Sequence, residues 1–180
     1  MPTSIRVIGL GGFGKWVVTG FKNRLLERYG SIDQIPDDFG YIAFDLAKEE
    51  DPNPEFYRFG FGRCVVDTPD YSPYSQEFYQ LMGDAEYEIR KAQLEASDRN
   101  RFIARFLSKK DGDLFVRTVL GSGAAGERRL GSRTVFFLDA AKIVDRLTNF
   151  LVDDSICFLV GSVAGGTGCG TFLDFLLLVQ

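Results

Sequence analysis

Gly161-Ser-Val-Ala-Gly-Gly-Thr-Gly-Cys-Gly-Thr171 holds five of the chain's 20 glycines. An apolar run, Ser155-Ile-Cys-Phe-Leu-Val160, precedes it, and Thr171-Phe-Leu-Asp-Phe-Leu-Leu-Leu-Val-Gln180 follows. The first flank reads as a strand and the second as a buried helix. A glycine loop between a strand and a helix is a phosphate-binding context. Its backbone can approach an anion closely, and the helix start offers unpaired N–H groups at the positive end of a dipole.

A second such loop lies near the beginning. Ser4-Ile-Arg-Val-Ile-Gly9 reads as a strand, Gly9-Leu-Gly-Gly-Phe-Gly-Lys-Trp16 as the loop, and residues 14–29 as a helix. Val17, Val18, Phe21, Leu25 and Leu26 form the helix's apolar stripe, Lys22, Arg24, Glu27 and Arg28 its solvated side, and Gly30 its C-cap. Gly40-Tyr-Ile-Ala-Phe-Asp45 reads as the next strand, ending in an acid. The β-loop-α-β order predicts an α/β fold built on a buried parallel sheet.

Taken alone, the first loop has three readings. Gly9, Gly11 and Gly14 fit G-x-G-x-x-G, with Asp45 as the acid of a dinucleotide-binding fold. Gly9, Gly14 and Lys15 fit the start of a G-x-x-x-x-G-K loop, but Trp16 stands where a hydroxyl residue should hold magnesium. The third reading is a tight strand-to-helix turn with no ligand, Lys15 solvated and Trp16 packed. A dinucleotide fold needs one phosphate loop and leaves the loop at 161–171 unexplained. Two loops at the ends of neighbouring parallel strands can hold one polyphosphate between them.

The middle of the chain is organised differently. Four of the six prolines (Pro52, Pro54, Pro69 and Pro73) fall within 48–74, among aromatics from Phe56 to Tyr74. So many aromatics predict an ordered insertion rather than a linker. It forms a partner surface, a covering flap or a satellite core. The periodicity predicts a helix at 76–96, with Phe78, Leu81, Ala85, Ile89 and Ala92 on one side. Further expected elements are a helical piece around Phe102–Leu107, a strand at 113–120 and a helix at 134–151.

Composition narrows the function classes. Among 180 residues, 45% are hydrophobic and 26% charged, the profile of a soluble globular domain. A formal net charge of −4 argues against a nucleic-acid footprint, which needs a basic patch. No histidine is present, which removes Ser-His-Asp and Cys-His catalysis and histidine zinc sites from these residues. Three separated cysteines fit a reduced, cytoplasmic setting. No apolar run reaches membrane-spanning length. The uncapped apolar run at 171–180 predicts a longer natural protein, of which 1–180 is the N-terminal domain.

Ala164-Gly-Gly-Thr-Gly-Cys-Gly170 resembles the signature of the tubulin/FtsZ superfamily, usually written G-G-G-T-G-[S/T]-G. Ala164 replaces the first glycine and Cys169 the hydroxyl residue, a weaker hydrogen-bond partner for phosphate. Ile5-Arg-Val-Ile-Gly-Leu-Gly-Gly-Phe-Gly14 is similar to that family's first phosphate loop, with Lys15 where Asn or Gln usually follows. Ile42-Ala-Phe-Asp45 resembles the second loop, and Gly121-Ser-Gly-Ala-Ala-Gly-Glu127 the third. The motifs follow the family's order across most of the chain, and 48–113 is an insertion that compact FtsZ proteins lack. The divergent bacterial tubulin-like proteins are the closest match in pattern.

The resemblance implies a Rossmann-like parallel sheet flanked by helices, as in the tubulin/FtsZ GTPase domain, and binding of GTP or GDP. The implied nucleotide-binding residues are Gly11, Gly12, Phe13, Gly14, Lys15, Asp45, Gly123, Ala124, Ala125, Gly165, Gly166, Thr167, Gly168, Cys169 and Gly170. Thr167 would add a hydroxyl donor, and Mg²⁺ would lie near Asp45 through water. Self-association into filaments and assembly-linked GTP hydrolysis are implied too. The acidic loop that completes the family's catalytic site comes later in family order, so no catalytic residue is assigned within 1–180. The alternatives are a Rossmann-type NAD-binding oxidoreductase domain and a non-hydrolysing scaffold that keeps the fold without its ligand.

Overall fold

A computed structural model of the chain describes residues 4–46, 77–81, 132–133, 135–137 and 139–180. Within them the strands are β1 (Ser4–Leu10), β2 (Phe39–Asp45), β3 (Phe78–Gln80) and β4 (Ser155–Gly161). The helices are α1 (Gly11–Tyr29), α2 (Ala140–Phe150) and α3 (Gly166–Leu178), and a 3₁₀ turn spans Ile32–Gln34. The strands form one sheet in the order β3-β2-β1-β4, and every pairing is parallel. The expected α/β architecture is therefore present: a parallel sheet flanked by helices.

Strand alternation explains the layers. Ile5 and Val7 of β1, with Tyr41 and Ala43 of β2, point to one face, where Val18 and Phe21 of α1 meet them. Ile8, Leu10, Ile42 and Phe44 point to the other, where Val135, Phe136, Ile143, Leu147 and Phe175 close a larger core. A sheet covered on both sides needs near-continuous apolar strands, as β1 and β2 are.

α1 begins at Gly11, three residues before the expected helix, and ends as predicted. Gly30 adopts φ 87° and its N–H donates to the Leu26 carbonyl at 2.8 Å, a glycine C-cap. Lys22, expected on the solvated side, is 3% exposed, and its ammonium pairs with Glu77 at 2.9 Å. Tyr41 donates to the same carboxylate at 3.0 Å.

The helix expected at 76–96 is corrected at its start. Residues 78–80 are β3, in register with Ala43, Phe44 and Asp45 of β2. Ala43 N–H donates to Glu77 O, and Leu81 N–H to Asp45 O, both at 2.8 Å. Pairing with β2 buries Phe78 and Leu81, and that burial outweighs the helical spacing of the two residues. These residues belong to the 48–113 stretch and are a strand of the sheet.

The helix expected at 134–151 is interrupted at Asp139, with helical residues at 132, 133 and 135–137 before it and α2 after it. Asp139 accepts the Tyr79 hydroxyl at 2.7 Å, and burial with this bond pushes the Tyr79 phenol well above its ordinary pKa. The closing helix α3 is buried on one side only. Phe175 is enclosed, whereas Leu173 and Leu177 are 69% and 72% exposed. The expected elements at 82–96, 102–107 and 113–120 lie outside the described residues.

Candidate functional site

The sheet order places a topological switch point. From β1 the chain runs through α1 to β2 on one side, whereas β4 pairs with β1 on the other. α1 packs on one face of the sheet and α3 on the other, so the chain leaves the carboxyl ends of the neighbouring strands β1 and β4 toward opposite faces, the arrangement that frames a crevice at that edge. In open α/β sheets ligands bind at such a crevice. Both glycine loops end there, because Leu10 and Gly161 are register partners at those ends.

The two helix starts touch. Gly11 has φ 69°, a conformation that favours glycine, and a Cβ on it would lie 3.1 Å from Gly168 N and 3.2 Å from Thr167 Cβ. A Cβ on Gly168 would in turn lie 3.0 Å from Leu10 O and 3.0 Å from Ser162 N. Gly14 is pressed onto the β1 backbone: a Cβ there would overlap the Gly9 carbonyl carbon and lie 2.9 Å from Val160 O. Gly12 has open space around its Cα, and Phe13 beside it is exposed and packs edge-on against Trp16.

Neither helix has a side-chain N-cap. The first-turn N–H groups of a helix have no partner within it. In α1 these belong to Gly11, Gly12 and Phe13, and in α3 to Gly166, Thr167 and Gly168. Gly165 N–H donates to Ser162 O at 3.3 Å. Cys169 and Gly170 lie further along α3, because the signature that reads as a loop is the helix's first turn and more. The abutting starts of two helices join two positive dipole ends, the physical basis of an anion site.

Beneath this cradle lies a charged network. Lys15, which a first-turn lysine reading would leave solvated, is 5% exposed, with its ammonium 2.8 Å from Asp45 Oδ2. Asp45 Oδ1 accepts the Thr167 hydroxyl and the Leu46 N–H, each at 2.8 Å. The Thr167 hydroxyl proton is thus directed to Asp45. Sequence reading found all three residues but not their mutual contact. The available signal was a lysine in place of an amide, followed by an acid at the end of the next strand.

Asp45 does not fit as a direct magnesium ligand. Both carboxylate oxygens are engaged, the side chain is 7% exposed, and a second cation would be repelled by the ammonium already there. Among the described residues, no group of three or more His, Cys, Asp or Glu could hold a metal ion. Gly123, Ala124 and Ala125 lie outside the described residues.

Cys157 packs against the larger core, and this burial pushes its thiol pKa up. A cavity of about 470 Å³ lies at the opposite end of the sheet, lined by Arg6, Asp37, Gly40, Tyr41 and Phe150 among others. None of the glycine-loop residues lines it. Arg6 is tied down there, donating to Phe150 O at 3.0 Å and Asp37 O at 3.2 Å. No helix among the described residues is long and apolar enough to cross a membrane.

A family model described as tubulin-like matches residues 7–180 of the chain, from within β1 to its last residue. No curated protein and no solved structure matches it.

Proposed function

Because the chain belongs to the tubulin-like family, we propose that it binds a nucleoside triphosphate, its phosphates laid across the joined starts of α1 and α3. One observation carries the reading: the two helix starts abut, since a Cβ on Gly11 would press on Gly168 N and Thr167 Cβ, and one on Gly168 would press on Leu10 O and Ser162 N. This closeness brings first-turn N–H groups that have no partner within either helix to a single place at the switch point. The preference for guanine comes from family resemblance. Mg²⁺ would arrive with the nucleotide, coordinated by its phosphates.

Self-association, with hydrolysis completed by an acidic loop from a neighbouring subunit, is the activity the resemblance supports for the assembled protein. A cytoplasmic location fits that activity. The dinucleotide reading is weaker. Its acid, Asp45, is enclosed and committed to Lys15 and Thr167, which leaves it poorly placed to receive ribose hydroxyls.

Calorimetric titration with GTP, ATP and NAD in magnesium buffer tests the proposal. Saturable GTP binding is expected, weaker with ATP and absent with NAD. Saturable NAD binding without GTP binding would overturn it in favour of the dinucleotide fold. Binding of none of the three would leave a scaffold.

A further inference from the structure

The Lys15–Asp45–Thr167 network joins three elements that the sheet alone does not join. Asp45 ends β2, Lys15 lies in the second turn of α1, and Thr167 lies in the first turn of α3. β2 and β4 are not neighbours, since β1 lies between them. The Thr167–Asp45 bond therefore reaches across the carboxyl end of β1. Gly11 leaves the space for it, because a side chain there would press on Thr167 Cβ. Two further bonds hold the partners: Thr19 donates to Lys15 O, and Thr171 to Thr167 O, both at 2.8 Å.

We infer that Lys15 is the resident counter-ion of Asp45, and that the pair positions both phosphate loops in the role a divalent cation would otherwise fill at that carboxylate. A buried carboxylate directly under an anion site would repel phosphate unless a cation intervened. The ammonium at 2.8 Å supplies that cation from within the chain. The Asn or Gln usual at this position in the resembled family carries no charge, so the exchange to lysine changes the electrostatics of the cleft floor. Lys15 and Asp45 are positioning residues, acting through the loops they hold. Nucleotide binding here then owes nothing to a metal at Asp45. This part rests on the proposed nucleotide site, whereas the ion-pair part does not.

The test compares wild type, Lys15→Gln, Asp45→Asn and the double variant in two measurements. The first is the thermal unfolding midpoint without nucleotide. Each single variant removes one charge of the buried pair and is expected to lose roughly 10 °C, with a smaller loss in the double variant than the two single losses combined. Additive losses would overturn the ion-pair role. The second is GTP affinity in Mg²⁺ against affinity in EDTA. The ratio is expected to agree within about threefold between wild type and double variant, and to rise about tenfold in Lys15→Gln, where the bare acid needs an external cation. A wild-type magnesium dependence that vanishes in the double variant would show Asp45 serving the metal and overturn the inference. If GTP binds in neither buffer, the nucleotide reading fails, and the unfolding comparison still decides the ion pair. Should Lys15→Gln fail to fold while the uncharged double variant folds, that recovery itself shows the coupling, and the wild-type-against-double ratio decides the metal; a double variant that also fails to fold would overturn the ion-pair role.

Discussion

Gly14→Ala is expected to destabilise the fold by about 3 kcal/mol or more, lowering the unfolding midpoint by roughly 10 °C. The added Cβ would overlap the Gly9 carbonyl carbon, 2.7 Å from Gly9 Cα and 2.9 Å from Val160 O. All three atoms are backbone of β1 and β4, so no flexible side chain can move aside. Relief requires α1 to lift from the sheet, which separates its start from that of α3 and opens the cradle. GTP affinity should fall together with stability. Gly12→Ala is the matched control, since nothing lies within 4 Å of a Cβ there. It keeps the backbone N–H and should change the midpoint by no more than about 1–2 °C. Differential scanning calorimetry of the two variants makes the comparison.

Phe175→Ala is expected to cost about 3–5 kcal/mol in chemical unfolding. The ring is fully buried, with centroids 4.8 Å from Phe44 and 5.1 Å from Phe136. It therefore joins α3 to β2 and to the helical residues at 135–137. Asp174 beside it takes a two-pronged pair from Arg133, with both contacts at 3.1 Å. These two neighbours set the direction of α3 and hence the aim of its first-turn N–H groups. Leu177→Ala, on the exposed side of the same helix, should stay within about 0.5 kcal/mol of wild type. Equal losses from both would mean that the exposed side is packed in solution.

The parts of the fold legible in the sequence were those with strong local punctuation. β1, β2 and β4 are apolar runs stopped by glycine or an acid, and each lies within one residue of its expected bounds. Gly30 ends α1 because only a glycine-friendly angle completes that cap. The starts of α1 and α3 read late in the sequence, since glycine's low helix propensity reads as loop. Docking against β1 and β4 overrides that preference at Gly11–Gly14 and Gly166–Gly170. β3 is not legible because three residues show no alternation, and Phe78 and Leu81 fit a helical face as well as a strand end. The buried charges were invisible for a different reason. Lysine is rarely enclosed, and the partners of Lys15 and Lys22 are remote in sequence, at Asp45 and Glu77. The glycine loops of the candidate site could be named from the sequence, but the charged floor beneath them could not.

Amide-resolved NMR during a GTP titration tests most directly whether one polyphosphate is held by both loops. The largest shifts should fall on Gly11, Gly12 and Phe13 and on Gly166, Thr167 and Gly168, all following one saturation curve. Shifts confined to the first loop, or produced by NAD and not by GTP, would contradict a shared phosphate cradle.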